Sequence, residues 1–575
     1  MRRVIAPFTS LAFVCALAFA AAAQVNPPVP APSGPVNPPG AIPTPTPPAT
    51  TAPAPRASGA ATPWPVPAGP EETASPVPAQ ATPAPIATPT PPPIIVDPPQ
   101  VGVEPNKTAT ARINGVLGTL SVTVADGTIA TAQVDQAQRV LFVTGMKLGT
   151  TTVTVTDSRG VSRDVPVRVA YAAGSAADTT TVRVTGNPAS VLYLRDAIAA
   201  AVEGAATLRP GASVAVTPEL VPVKRDLGVD DRTEIDVPVT IAGDGYFTVN
   251  GSTHVVLENV ALPPIEPARL MVSDYPERLS ANGVLFNATL DRTQAQRFLY
   301  YHFNPSTEPA RRILLKARNG GNAPATVQMI DGAAGPGGNE MEIGHLSTKR
   351  FLVRQARNEG VVRTLAPGET VNLVNHPLPP GTIVSAVMQL RLVSGDPLDL
   401  ALVAQDAKSP SDLSFDTTQL LVGGAPHARG TYPVPTFYFD RTYDVAGDDL
   451  EIPIGQLPLP NLRSGEALSG DYGVQQTMNV VIVNMTRGPH AVALYANPRG
   501  GRATGTFLID GTVVQAHALP AFSKFKLWQE RINPGTYRRI RIVTMPEGGS
   551  SYPLRLIFAP DDGSPAPGAP GSLIY

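Results

Sequence analysis

Laid on itself, the C-terminal half of this chain repeats. The run from Leu315 to Gly332, ending Ile330-Asp331-Gly332, corresponds to the run from Leu494 to Gly511, ending Ile509-Asp510-Gly511. Upstream, Tyr300 to Asn304 matches Val480 to Asn484, each a strand-like run that closes on Asn. Downstream, Pro380-Gly381-Thr382 matches Pro534-Gly535-Thr536, and the stretch opening Pro397-Leu398 matches the one opening Pro553-Leu554. The order is kept, with the first copy longer between its later landmarks. Short apolar runs broken by Gly, Pro and Asn read as strands joined by turns, and a sheet with one apolar face must bury it against another. Two β-sandwiches are therefore expected, over residues 270–405 and 430–560, followed by a flexible tail over 561–575.

The opposite end of the chain cannot build a core. Between residues 21 and 100 stand 27 of the 65 prolines, mixed with Ala and Thr. Such a composition favours polyproline II and solvation, so residues 24–100 are expected to form a disordered spacer, with Trp64 its lone large aromatic. Before it, Arg2 and Arg3 precede an apolar stretch over residues 11–20, and Ala21-Ala22-Ala23 offers small residues for cleavage before Gln24. That is the pattern of a secretory signal over residues 1–23, and it implies export to the periplasm, the cell surface or the medium. The one cysteine, Cys15, lies inside the apolar stretch, after Phe13 and Val14 rather than the small residues a lipidation site wants. Cleavage after Ala23 would leave no cysteine for disulfides, thiolate metal sites or cysteine catalysis. No later run of about twenty apolar residues is present, so no integral membrane segment is expected in the mature chain.

Residues 101–172 carry the first expected fold. Thr119 to Ala125 alternates, Arg139 to Thr144 is an apolar run, and Gly149 to Asp157 proceeds with period two. Turn residues Asp126-Gly127 and Ser158-Arg159-Gly160 separate them. The last strand, Val165 to Ala170, contains Pro166, which points to a sheet edge. The phrases Val124 to Val134, Val140 to Gly145 and Leu148 to Asp157 resemble two families, the amino-terminal domain of pilus-assembly secretin proteins and the bacterial immunoglobulin-like domain. The resemblance implies a small β domain that serves as a spacer or docking unit. A pore-forming secretin region is not visible downstream, so the resemblance does not extend to a secretin. Residues 178–262 then read as a small α+β module: a strand from Thr181, a helix over residues 190–208 with Val191, Leu194, Ile198 and Val202 near one face, and a strand from Gly211.

Charge excludes some functions. With 44 basic and 46 acidic side chains the formal net charge is −2, which provides no field for nucleic acid. Among local clusters, Glu340, Glu342 and His345 are the densest candidate for a divalent cation; the competing reading is a solvated turn after Asp331-Gly332, with His345 opening a strand. His517 is the nearest counterpart in the second copy, without an acidic pair beside it. Asp230-Asp231 and Asp448-Asp449 read as loop doublets with too few oxygens for calcium. Arg311-Arg312, and Arg538-Arg539 with Arg541, read as cross-strand pairs rather than an anion site. No nucleophile elbow, zinc-protease helix, phosphate loop or dinucleotide fingerprint occurs.

The expectation from sequence is thus a mainly β chain: tandem β-sandwich domains with one small α+β module, after a disordered Pro-rich linker. It is expected to be a non-enzymatic envelope or surface protein, with no catalytic, cofactor or metal residues assigned. Its expected partners are envelope or surface proteins or polysaccharide. Two alternatives remain open: an accessory subunit of a pilus or secretion apparatus, and an enzyme acting on envelope polymer at a site between the two repeats.

Overall fold

Alternation in the sequence becomes paired sheets in the computed structural model, which describes residues 92–292, 294–408, 419–462 and 467–566. The signal, Cys15, Trp64 and nearly all of the Pro-rich stretch lie outside the described residues. Folding starts earlier than residue 101: Ile94 is buried and Ile95–Asp97 pairs with Thr108–Asn114.

The first domain faces two four-stranded sheets. One is ordered Ile95–Asp97, Thr108–Asn114, Val140–Gly145, Ala130–Asp135; the other Val101–Val103, Ser162–Val169, Gly149–Asp157, Leu120–Val124. Alternate residues such as Val143, Val153, Val155 and Val165 fill the core, while Thr154 turns outward and donates to Asp164 Oδ1 at 2.7 Å. Pro166 does not lie on an edge strand. Its strand has neighbours on both sides, but the short Val101–Val103 strand begins pairing only at Val167, just past the missing N–H.

A single sheet crosses the join expected near residue 262. Its order is Ser213–Ala215, Arg232–Ala242, Val249–Asn259, Thr179–Thr185, Gly360–Leu365, Ala325–Asp331, Thr382–Ser394, Ala295–Asn304, Pro267–Ser273, Arg429–Tyr432. The weld is antiparallel pairing of Arg183 with Val362 and Thr185 with Gly360. Helix α1, Val191–Ala205, covers the first part of this sheet, packing Leu194, Ile198 and Val202 on Val182, Val184 and Val255.

Both sandwich copies have one topology. In each, the first strand runs parallel to its neighbour: Pro267–Ser273 beside Ala295–Asn304, and Thr436–Asp444 beside Gln475–Asn484. The facing sheets are ordered Gly283–Leu290, Leu398–Asp406, Arg311–Asn319, Thr370–Leu378 in copy 1 and Leu450–Ile454, Leu554–Pro560, His490–Pro498, Phe525–Ile532 in copy 2. The repeated asparagines do equivalent work. Asn304 Nδ2 donates to the carbonyls of Pro309 and Leu378, and Asn484 Nδ2 to those of Gly488 and Ile532. Gly381 and Gly535, in the repeated Pro-Gly-Thr, adopt φ of 73° and 68° and donate their N–H groups to those same asparagine carbonyls at 2.7 Å.

The copies differ where Asp331 and Asp510 end their strands. Copy 2 turns at Asp510-Gly511, whereas copy 1 inserts residues 332–359, which contain helix α2, Glu340–Ala356. His345 therefore opens no strand. Asn339 supplies the helix start that a turn reading overlooks, its side-chain oxygen accepting from Glu342 N–H at 3.3 Å. Phe351 and Leu352 of α2 join Leu270, Val272, Leu299 and Val387 of copy 1 and Leu508 and Met545 of copy 2 in one apolar seam. Arg297 is fully buried there, donating to Gly473 O at 3.4 Å, Gln475 Oε1 at 3.3 Å and Pro435 O. Burial lowers its pKa to about 10. The start of the expected flexible tail is also fixed: Lys526, with a side chain 1% exposed, holds Asp561 and Asp562. Among the described residues no helix is long and apolar enough to cross a membrane.

Candidate functional site

Where the seam opens, it leaves a cleft of about 560 Å³ between the two copies. Copy 1 contributes Asp274, Glu277, Leu299, Tyr301 and Glu340; the connecting segment contributes His427; copy 2 contributes Leu468, Tyr472 and the Gly548–Ser550 loop. The volume lies in the range of small-ligand pockets, about 300–1,000 Å³.

Local chemistry aims these groups. The end of strand Pro267–Ser273 is pinned by His302, which is fully buried between Ser273 Oγ at 3.2 Å and the Pro276 carbonyl at 3.0 Å. Burial pulls His302 down to about pH 4, so the ring is neutral at physiological pH. Its Nδ1–H must donate to the carbonyl, and Nε2 then accepts from the serine. The Asp274 N–H donates to Ala428 O at 2.9 Å, which draws the connecting segment alongside. His427 then bridges two carboxylates, with Nδ1 3.3 Å from Asp274 Oδ2 and Nε2 2.9 Å from Glu277 Oε2. Across the cleft the Tyr472 hydroxyl donates to Ser550 O at 2.7 Å.

The field in the cleft is negative. Among the described residues that line it there is no Lys or Arg. Burial pushes Asp274 up to about 6 despite the help of His427, and its Oδ1 is buried without a hydrogen-bond partner among the described residues. The hydrogen bond to Asp274 raises His427 in turn. Tyr301, 7% exposed, has its pKa raised by burial and then by Glu340, Glu277 and Asp274; its hydroxyl lies beside the Glu340 carboxylate without a well-formed hydrogen bond.

The acidic run singled out from sequence is split by the helix. Glu340 reaches the cleft, Glu342 is solvent-exposed in the first turn, and His345 points into the seam. There His345 Nδ1 lies 2.9 Å from Glu547 Oε2 and Nε2 3.2 Å from Gln515 Oε1, while the His517 ring stands 4.6 Å away, centre to centre. Among the described residues no group of three or more His, Cys, Asp or Glu is placed to hold a metal ion. Asp231 accepts from Gly228 N–H in a turn, and Asp448-Asp449 are exposed beyond strand Thr436–Asp444, apart from the cleft. Arg311 is buried on Asn304 and Glu308, and Arg538 is paired with Glu530 and Asp510. Asp274, Glu277, Tyr301, His427 and Tyr472 carried no local signal; strands far apart in sequence assemble them.

Residues 98–170, the first domain, match the family described as the pilus formation protein N terminal region. No curated protein matches the chain. Among solved structures, domains 4 and 5 of the S-layer protein SbsC are 26% identical over 13% of this chain and 50% of theirs, with a TM-score of 0.12. The Bacteroides ovatus mixed-linkage glucan utilization locus protein SGBP-B, solved with a mixed-linkage heptasaccharide, is 9% identical over 52% of this chain and 71% of its own, with a TM-score of 0.12. The insect immune protein hemolin is 10% identical over 36% and 63%, with a TM-score of 0.17. This chain thus spans half the length of the SbsC structure, and superpositions this loose bear on neither the cleft nor its chemistry. The firm similarity is local: residues 98–170 match that family, and the match does not extend to the rest of the chain.

Proposed function

We propose that this chain is an exported envelope or surface protein that binds or assembles with other envelope components through its welded β domains, without catalysing a reaction. The observation that carries the reading is the family match of residues 98–170. Two features support it. The sheet that runs from the α+β module into copy 1, and the apolar seam from copy 1 into copy 2, make a stiff body suited to holding a binding surface in a fixed orientation. The N-terminal residues have the composition of a secretion signal and a spacer.

The same match favours a narrower reading, an accessory subunit of a pilus or secretion apparatus. Fractionation of cells carrying a C-terminal epitope, with cross-linking and co-purification, tests both. Envelope recovery with a partner that is lost when residues 94–170 are deleted supports the narrower reading. Envelope recovery with a partner that survives the deletion supports the broader one alone. Cytosolic retention of the intact precursor sinks both. An enzyme acting on envelope polymer would have its site in the seam cleft, and turnover of wall polysaccharide abolished by Glu340→Gln would replace the non-catalytic reading.

A further inference from the structure

The seam cleft has acceptors in excess and few free donors. Ionised carboxylates only accept, and Asp274, Glu277 and Glu340 place three of them around one space. Among the described lining residues His427 is the one side chain able to take a positive charge, and it is engaged by Asp274 Oδ2 and Glu277 Oε2. Two hydroxyls of copy 2 are engaged as well, Tyr472 donating to Ser550 O and Ser550 Oγ contacting the N–H and hydroxyl of Thr504, while Ser469 also lines the cleft. What remains is the exposed Glu340 carboxylate and, enclosed in the wall, Asp274 Oδ1 and the Tyr301 hydroxyl, neither with a hydrogen-bond partner among the described residues. A buried polar group without a partner is destabilising, so a donor brought by a ligand has something to gain. Val272, Leu299 and Leu468 supply apolar wall, and the Tyr301 and Tyr472 rings offer π faces.

That combination selects among ligand classes. Anions meet a lining in which carboxylates outnumber the one imidazole, and are repelled. A coordinated metal ion lacks a suitable set of three ligands among the described residues. We propose that the cleft binds a primary ammonium group on an apolar stem, as carried by a free alkyl diamine or by a lysyl side chain. The ammonium pairs with the exposed Glu340 carboxylate, Asp274 Oδ1 and the Tyr301 hydroxyl oxygen becoming its further acceptors as the side chains that enclose them shift, and the methylenes lie along Leu299 and Leu468. This inference rests on the cleft alone and not on the envelope placement.

Titration calorimetry on the full chain tests it with 1,5-diaminopentane, the peptide acetyl-Gly-Lys-Gly-amide and the uncharged 1,5-pentanediol. Saturable binding of either ammonium probe at about 1 mM or tighter is expected, with none for the diol. Binding by the diamine alone assigns a free amine, and binding by the peptide assigns a lysyl side chain. Glu340 is exposed at the first helical position, so Glu340→Gln should fold normally and weaken binding about tenfold. Glu342→Gln, two residues on and outside the cleft, should leave binding unchanged. Absence of saturable ammonium binding, equal binding of the diol, or equal weakening by both substitutions overturns the proposal. Cytosolic retention would leave this result standing, and a null titration would leave the envelope reading standing.

Discussion

Copies 1 and 2 have one strand order and one set of hinge asparagines, yet the equivalent outer faces of their larger sheets meet different surroundings. Aligning Asn304 with Asn484 and Gly381 with Gly535 places Tyr301 opposite Val481, Ile383 opposite Tyr537, and Val387 opposite Arg541. In copy 1, Tyr301 and Ile383 are each 7% exposed; in copy 2, Tyr537 is 64% exposed. The backbone is common to both, so the cause lies in what covers it. Residues 332–359 place α2 over copy 1, and copy 2 packs against the same face, whereas Asp510-Gly511 leaves its own face open. The side chains follow the cover: Leu299 and Val387 are apolar where Asn479 and Arg541 are polar. A two-residue turn exchanged for a helix has turned a sandwich surface into an interior, and the cleft is where that interior stops short.

The sharpest way to break this comparison is to hollow the helix contact. Phe351 is fully buried in the seam, so Phe351→Ala should cost about 3–5 kcal/mol, while Tyr537→Ala on the open face should stay within about 0.5 kcal/mol. Native-state hydrogen exchange of α2 amides reads the first and denaturant unfolding of copy 2 the second. Equal costs would mean that α2 decorates copy 1 without holding it. A smaller effect is expected at the closest approach. A Cβ at Gly344 would stand 1.8 Å from the Gly548 carbonyl oxygen, so Gly344→Ala should destabilise the seam by about 1–3 kcal/mol, although Ala is the better helix former. A gain in α2 protection would show that the loop yields without cost.

Much of this architecture was legible in the sequence, and the reason is periodicity. Alternation identified the strands of the first domain, and the repeated asparagines and Pro-Gly-Thr identified the two copies, because hinge chemistry must be preserved wherever the topology is. Helix α1 announced itself through Leu194, Ile198 and Val202. The weld between Thr179–Thr185 and Gly360–Leu365 left no local trace, since register between distant strands depends on the whole sheet. Helix α2 is hidden because its charged first turn resembles a loop, and only the Asn339 cap separates the two. The cleft was missed for the same reason as the weld: Asp274, Tyr301 and His427 meet only after three strands have paired. Glu340 stands out in sequence, but beside neighbours that the helix directs elsewhere.

The smallest expected effect is a pH dependence localised to the seam, where two histidines pull in opposite directions. Burial opposes protonation of His345, but the Glu547 carboxylate at 2.9 Å outweighs it, with Gln515 adding to the rise and Lys349 opposing, so its pKa is raised. A raised folded pKa means the folded state binds the proton more tightly. That stabilisation is complete below the unfolded value of about 6.5 and fades as pH rises through the folded value. His517, 4.6 Å away, is lowered by burial and then by His345, with Glu547 opposing and Lys349 adding, so its contribution fades as pH falls toward the same region. In wild type the slopes partly cancel. His517→Ala should expose the His345 slope, with α2 amide protection decreasing from pH 6 to pH 8, and His345→Gln should remove it. Other titrating groups affect all three proteins alike, so the difference between the variants isolates the pair. If both variants lose protection in parallel as pH rises, the Glu547 contact does not govern His345, and the seam is held by its apolar packing alone.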